Sequence, residues 1–140
     1  MENASDADGL EAAGWKPRDL PGFIGLVGPL WTRREAETWA YGLRMEAKHL
    51  NPARRVHGGA LMTLMDHAIS SVAWEAGGRK PCVTIQMDSQ FQGAALEGQF
   101  VEVRVQVTQQ TGSLCFARAE MTVGAQLVMS AQAILKKLAG

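Results

Sequence analysis

The feature that most constrains the fold is one long helical pattern set between segments that read as strands. The predicted helix runs from about Gly59 to Glu75, and Ala76-Gly77-Gly78 ends it, because glycine suits the left-handed position after a helix. Its apolar face consists of residues at helical spacing: Leu61, Leu64, Met65, Ala68, Ile69 and Val72. Two glycines, Gly58 and Gly59, stand at its start, and Asp66 lies two turns inside it. The rest of the chain is expected to fold around this helix.

Strand-like segments lie on both sides of the helix. Two precede it, at residues 23–31 and 39–45, and four follow, at residues 82–91, 100–107, 115–123 and 127–135. Because short connections join the later segments, neighbouring strands are expected to be antiparallel. The pattern predicts an α+β fold in which one long central helix packs on a six-stranded antiparallel sheet. Residues 1–20 are expected to form a partly ordered N-terminal extension, and residues 21–140 a single domain.

Charge and cysteine content argue against several functional classes. Lysines and arginines number 14, and so do aspartates and glutamates, so the basic excess of general nucleic-acid or membrane-surface binders is absent. Cys82 and Cys115 form no CxxC pair, which argues against a zinc site or a disulfide scaffold. No apolar run approaches the roughly 18 residues of a membrane span, and no signal pattern opens the chain. We therefore expect a cytoplasmic protein with no membrane or nucleic-acid partner.

Asp66 stands on a part of the helix that is not patterned for contact with water. Met62, Ile69 and Ala73 lie near it at helical spacing, whereas a solvated face would carry lysine, glutamate or glutamine. A sheet covers only one side of a helix, and residues 1–20 offer little apolar material as a lid. A second copy of the chain is therefore the expected cover.

The loop and the helix start resemble those of a known family. His57-Gly58-Gly59, with Asn51 six residues before His57 and Leu64-Met65-Asp66 after it, is similar to the motif of hot-dog-fold acyl-CoA thioesterases. The closest similarity is to the branch of the phenylacetate-pathway thioesterases and thioesterase superfamily member two. The strand pattern also matches, so the resemblance covers roughly residues 20–137. It implies a hot-dog fold and hydrolysis of an acyl-CoA thioester without a metal or other cofactor.

The resemblance also implies roles for individual residues. Asp66 would be the catalytic carboxylate, and the Gly58 backbone N–H would polarise the thioester carbonyl. Asn51 would position the thioester or the attacking water, and Thr84 would hydrogen-bond the nucleophile. Met65 and His67 depart from the small residues common beside the acid, so the acyl group stays open between medium-chain and aromatic.

Further residues are candidates for substrate binding. Gly59, like Gly58, has no side chain to block an approaching carbonyl, and the first-turn N–H groups of a helix carry positive charge. His57 is expected to fix the loop through a ring hydrogen bond to the backbone. Met62 and Ile69 would line the acyl pocket, and Arg54 and Arg55 could meet the phosphates of coenzyme A.

The spacing of Gly58 and Asp66 predicts a shared site. Eight residues of helix separate them by about 12 Å along the axis, too far for both to act on one carbonyl. If both act, they must come from two chains whose helices run antiparallel, so the sequence predicts a homodimer, or a dimer of dimers.

Two alternatives stay open. A hot-dog hydratase or dehydratase would want a His–Asp or His–Glu pair, but His57 and Asp66 are far apart along one helix. A non-catalytic acyl-CoA-binding module would bind the same ligand without turnover.

Overall fold

The computed structural model describes residues 4–139 as one antiparallel sheet with a long helix on one of its faces. The elements in chain order are α1 (Ala4–Ala12), β1 (Lys16–Arg18), α2 (Gly22–Val27), β2 (Leu30–Glu35), β3 (Thr38–Arg44), a 3-10 turn (Ala47–His49), α3 (Gly58–Ala76), β4 (Cys82–Phe91), β5 (Phe100–Gln110), β6 (Leu114–Val123) and β7 (Gln126–Lys137). The strand order across the sheet is β1-β2-β3-β5-β6-β7-β4, and every neighbouring pair is antiparallel.

Helix α3 is the predicted central helix and spans one residue more at each end than expected. Its residues Leu64, Met65, Ala68 and Ile69 are fully buried against the sheet. The strands supply the other half of the core through alternate residues, because successive side chains of a strand point to opposite faces. At the C-terminal end, the Gly77 N–H donates to the Ala73 carbonyl at 2.9 Å, and Gly78 has φ +75°.

The α+β hot-dog architecture is confirmed, but the sheet has seven strands where six were predicted. The additional strand is β1, which pairs with β2 through Lys16↔Thr32 and Arg18↔Leu30. Three residues are too few to show an alternating pattern, so no strand was predicted there.

The predicted strand at residues 23–31 is wrong over most of its length. Residues Gly22–Val27 form α2, and β2 begins only at Leu30. A short run that is apolar throughout does not reveal whether its period is that of a helix or of a strand. Thr32–Glu35, between the two predicted strands, belong to β2, and the chain reverses at Ala36, which has φ 53°.

A buried histidine anchors α2 and the 3-10 turn to each other. The Glu46 N–H donates to His49 Nδ1 at 2.8 Å, so Nε2 carries the proton and donates to the Val27 carbonyl at 2.6 Å. The His49 carbonyl in turn accepts from the His57 N–H at 2.8 Å. One residue thus connects α2, the turn and the loop that leads into α3.

The N-terminal segment packs on the sheet face opposite α3. Trp15 and Trp31 are buried there with Ala40, and the Phe100 ring lies 5.0 Å from the Trp15 ring, edge to face. Gly42 makes room for that ring, because a Cβ at this position would lie 2.2 Å from Phe100 Cζ. The face that the helix leaves open is therefore covered at one end of the sheet.

Candidate functional site

The loop before α3 is held by its own side chains. Asn51 Oδ1 accepts from the Arg55 N–H at 3.0 Å, and the Asn51 N–H donates to the Arg55 carbonyl at 2.7 Å. A bridge between Leu50 and Val56 closes the base of this turn. Asn51 therefore holds the loop through its side-chain amide oxygen and its backbone N–H.

His57 caps the helix. Its Nδ1 accepts from the Gly59 N–H at 2.8 Å, which satisfies one of the donors that the first turn of a helix leaves without a partner. The cap lies close to Gly59: a Cβ on that residue would lie 3.0 Å from His57 Nδ1, so a larger residue would press on the capping ring. The ring hydrogen bond expected from the sequence is present.

The N–H of Gly58 is one of the unpaired donors at the helix start. Within residues 4–139, no group accepts a hydrogen bond from it. The Phe91 ring at the end of β4 lies beside Gly58, at 3.5 Å from where a Cβ would stand, and Phe91 is 50% exposed. The donor thus lies beside an accessible aromatic wall, with the positive end of the helix dipole behind it.

Asp66 is fixed from the neighbouring strand. Thr84 Oγ1 on β4 donates to Asp66 Oδ1 at 2.7 Å, and Ser70 Oγ lies 3.4 Å from Thr84 Oγ1. Because the Thr84 hydroxyl proton is used on the carboxylate, Ser70 is the donor to Thr84. Two hydroxyls therefore orient one oxygen of Asp66, while Oδ2 has no hydrogen-bond partner among the described residues.

Two neighbours of Asp66, Cys82 and His67, are uncharged at neutral pH. Burial, together with the Asp66 carboxylate, raises the pKa of the Cys82 thiol, so this cysteine stays protonated. Burial lowers the pKa of His67, and the nearby Asp66 only partly opposes the shift. The neutral His67 ring lies edge-on to Tyr41, with ring centroids 6.2 Å apart.

The structure brings only part of the predicted set together. Asp66 and Thr84 are hydrogen-bonded, and Met62 is partly exposed on the same side of α3. Ile69 is fully buried in the core, so in this chain it does not line an open pocket. Gly58 is the first residue of α3, whereas Asp66 lies near the middle of the helix, about 12 Å away along the axis. Arg54 is exposed and pairs with Glu97 at 3.5 Å, and Arg55 is exposed in the same loop.

Sequence reasoning missed two residues of this region. Ser70 follows Asp66 by one helical turn, and this spacing could have placed it on the same flank. Phe91 gave no local signal, because its position beside Gly58 depends on the register of β4. That register includes an irregularity between Thr84 and Gln86.

Away from Asp66 and Gly58, the described residues form an open polar cavity but no group of metal ligands. A cavity of about 820 Å³ lies on the sheet face opposite α3, between polar residues of β4 to β7 such as Arg118 and Gln132. Residues 4–139 contain no group of three His, Cys, Asp or Glu side chains arranged to hold a metal ion. None of the helices in this range has the length and hydrophobicity needed to cross a bilayer.

The helix with its capped glycine start, and the strands after it, match a known family. The model of the thioesterase superfamily matches residues 53–130. The chain belongs to the thioesterase superfamily. This member is also 32% identical over 114 residues to a candidate esterase of Pseudomonas aeruginosa, in an alignment covering 80% of the chain and 85% of the relative. The resemblance stated from the sequence is confirmed.

Solved structures show the same fold. Zebra fish thioesterase superfamily member 2 has a TM-score of 0.76 and 24% identity to this superfamily member, over 86% of the chain and 89% of that protein. A hypothetical thioesterase of Streptococcus pneumoniae, solved with coenzyme A, has a TM-score of 0.71 and 18% identity, over 77% and 87% of the two chains. Superfamily membership and the esterase relative together support thioester hydrolase activity.

Proposed function

We propose that this protein hydrolyses acyl-CoA thioesters to a free acid and coenzyme A. The observation that carries the proposal is Asp66, a carboxylate with Oδ1 bonded to Thr84 and Oδ2 left open, on a helix whose first N–H has no partner. Hydrolysis of a thioester needs a base for water and a donor for the developing oxyanion. Asp66 supplies the first and the Gly58 N–H the second.

The reaction needs no further group. The open oxygen of Asp66 takes a proton from water as the water oxygen bonds to the carbonyl carbon, and the carbonyl oxygen becomes an oxyanion at the Gly58 N–H. When this intermediate collapses, the carbon–sulfur bond breaks, and the sulfur leaves with the proton that Asp66 held. Direct attack by Asp66, with a mixed anhydride that water then opens, uses the same two residues. Thr84 and Ser70 fix the carboxylate in either route.

Two copies of the chain would form each site. Gly58 and Asp66 are about 12 Å apart along one helix, so the donor and the base at one carbonyl come from different chains. Strand β4 offers the contact: it pairs with β7 on one side only, and Val83 and Ile85 are 44% and 55% exposed. An edge strand with exposed apolar residues is suited to pairing with another chain. A homodimer is therefore the proposed active unit, with a dimer of dimers as a larger form.

The acyl group is proposed to be medium-chain or aromatic. Met62 and Phe91 are accessible apolar residues on the flank of α3 that carries Asp66 and Gly58. Coenzyme A as the thiol part is supported by the Streptococcus pneumoniae thioesterase solved with that ligand. Arg54 and Arg55 at the loop stay candidates for its phosphates. No observation favours a hydratase, since His57 Nδ1 is engaged in capping the helix.

The test is thiol release from a panel of acyl-CoAs by wild type and Asp66→Asn. We expect hydrolysis by wild type and a loss of about 100-fold or more in Asp66→Asn, the size of effect of a general base. The matched control is Glu120→Gln, an exposed carboxylate of β6 on the opposite sheet face, which should keep wild-type turnover. Acyl-CoA binding without turnover by wild type would indicate a non-catalytic module and contradict the proposal.

A further inference from the structure

A second cavity lies on the flank of α3 that faces away from β4. Its volume is about 370 Å³, and it opens between the C-terminal half of α3 and strands β1 to β3. Asp66 and Ser70 bond to β4 on one flank of the helix, whereas Ser71 lines the cavity together with Tyr41 of β3 on the other. The cavity is therefore separate from the carboxylate site but built on the same helix.

Two arginines of this cavity are held in place with their ends unused. Arg18 and Arg34 lie over the same ring, that of Trp39, at 5.8 and 5.4 Å from its centroid. Each is anchored through Nε, Arg18 to Thr32 Oγ1 at 2.7 Å and Arg34 to the Ala36 carbonyl at 3.1 Å. No acceptor in residues 4–139 bonds the terminal amino groups of either side chain.

Neither arginine forms an ion pair with a carboxylate of residues 4–139. The cavity contains one carboxylate, Glu75, and Arg79 already pairs with it at 3.0 Å. In a chain with equal numbers of acidic and basic residues, this leaves a local excess of about two positive charges. A phosphate monoester carries a charge of about −1.5 to −2 at pH 7 and matches the fork of a guanidinium. A single carboxylate would balance only half of the charge.

We propose that this cavity binds a phosphate monoester, held between the terminal amino groups of Arg18 and Arg34. Its source is proposed to be the 3′-phosphate of coenzyme A, which is the one monoester of that molecule, and this assignment rests on the proposed function. Ser71 lies five residues after Asp66, about 7.5 Å along the axis of α3. The pantetheine arm of a thioester bound at Asp66 would run over Ser70 and the exposed Trp74 to reach the cavity.

The test compares binding of coenzyme A and of dephospho-coenzyme A, which lacks the 3′-phosphate, by titration calorimetry. We expect wild type to bind coenzyme A about tenfold or more tighter, as hydrogen bonds to a charged group predict. Arg18→Gln/Arg34→Gln should bind the two ligands equally. Arg118→Gln, an exposed arginine on the opposite sheet face, should behave as wild type. Arg34→Gln alone, at an exposed position, provides the same comparison if the double variant does not fold.

The outcomes separate this proposal from the proposed function. A preference for coenzyme A that survives in the double variant would overturn the site, even where acyl-CoA hydrolysis is normal. Adenosine 3′,5′-bisphosphate and inorganic phosphate identify the source. One result is that wild type binds these two ligands, the double variant does not, and wild type nevertheless binds coenzyme A and dephospho-coenzyme A equally. That result would keep the phosphate site but overturn coenzyme A as the source of the phosphate. Turnover of the acyl-CoA panel by wild type is measured independently of all these titrations.

Discussion

At Gly58, an added methyl group would contact only the Phe91 ring, at 3.5 Å, which is an ordinary van der Waals distance. Its φ is not in the left-handed region, so the fold itself does not require glycine here. The proposed carbonyl contact does require it, because a side chain would stand where the substrate approaches the N–H. We expect Gly58→Ala to lower kcat/KM about 100-fold, as for a misplaced substrate. Its free energy of unfolding should stay equal or rise by about 0.5 kcal/mol.

Acyl-CoA turnover and chemical denaturation of the same preparation check this expectation. Gly112→Ala is the matched control, because a Cβ there meets nothing within 4 Å and the residue lies far along the chain from the site. Wild-type kcat/KM in Gly58→Ala would mean that no carbonyl approaches this N–H. A fall in stability of the variant would instead point to a structural role for the glycine.

Individual residues of the site were predictable where a local rule applied. Glycines before an amphipathic helix mark its start, and the spacing of Asp66 follows from the helical period. Helical spacing alone did not separate Ile69 from Ser70, which follow Asp66 by three and four residues. Ile69 is buried between the helix and the sheet, whereas Ser70 faces β4. Phe91 lies 33 positions from Gly58, and only the pairing and irregularity of β4 bring them together.

Strand β4 is the element with the most exposed apolar surface beside the site. Ile85 lies at the irregularity, where Thr84 and Gln86 oppose consecutive residues of β7, and it is 55% exposed. A lysine at an edge strand is a common way in which natural proteins prevent edge pairing. We expect Ile85→Lys to raise the dimer dissociation constant about tenfold or more, and to lower activity at dilute protein concentration.

Sedimentation velocity over a concentration series measures this effect, with turnover recorded at the same concentrations. Gln132→Lys adds the same charge to an exposed position of β7 inside the sheet and should not change the assembly. An Ile85→Lys protein that dimerises as wild type would show that β4 is not the contact. A monomeric wild type with full activity would remove the shared site altogether.

Elements were predicted well where the segment was long enough to show its periodicity. Helix α3 and strands β4 to β7 each carry ten or more residues with a clear alternation or helical spacing. Gly22–Val27 has six residues and no polar side, so its pattern fits both a helix and a strand. The helix brings Gly25 against the Leu20 carbonyl oxygen, where a Cβ would lie at 2.1 Å, so this local contact requires glycine.

At the scale of the whole molecule, a charged cluster connects the first strands to the middle of the sheet. Glu35 on β2 accepts from Arg104 on β5 at 2.8 Å and from Arg33 at 2.6 Å, and Arg104 also pairs with Glu102 at 3.0 Å. The hydrogen bond from Arg104 is the main reason that the pKa of Glu35 lies below its usual value, with Arg33 adding to the shift and burial opposing it.

This pKa makes part of the stability depend on pH. A carboxyl with a lowered pKa in the folded state stabilises the protein above its unfolded-state pKa of about 4.3, and the stabilisation is lost as the pH falls through the folded-state value. We expect the free energy of unfolding to fall more steeply below pH 5 in wild type than in Glu35→Gln, by about 1 kcal/mol or less, since the cluster is partly exposed. Urea unfolding at pH 7, 5 and 3.5 measures this, and Glu120→Gln on the same face is the control. Parallel pH dependence of wild type and Glu35→Gln would contradict it.

His49 links the N-terminal part of the chain to the loop before α3, so the two cannot be exchanged independently between proteins. Its ring holds the Val27 carbonyl at 2.6 Å, and its own carbonyl holds the His57 N–H at 2.8 Å, so α2 and the helix cap share one support. A chimaera that takes its first thirty residues from another family member keeps this support only if the new segment brings a backbone carbonyl to the same point beside the His49 ring. A junction after α3 leaves this link intact but separates Asp66 from the Thr84 hydroxyl that orients it.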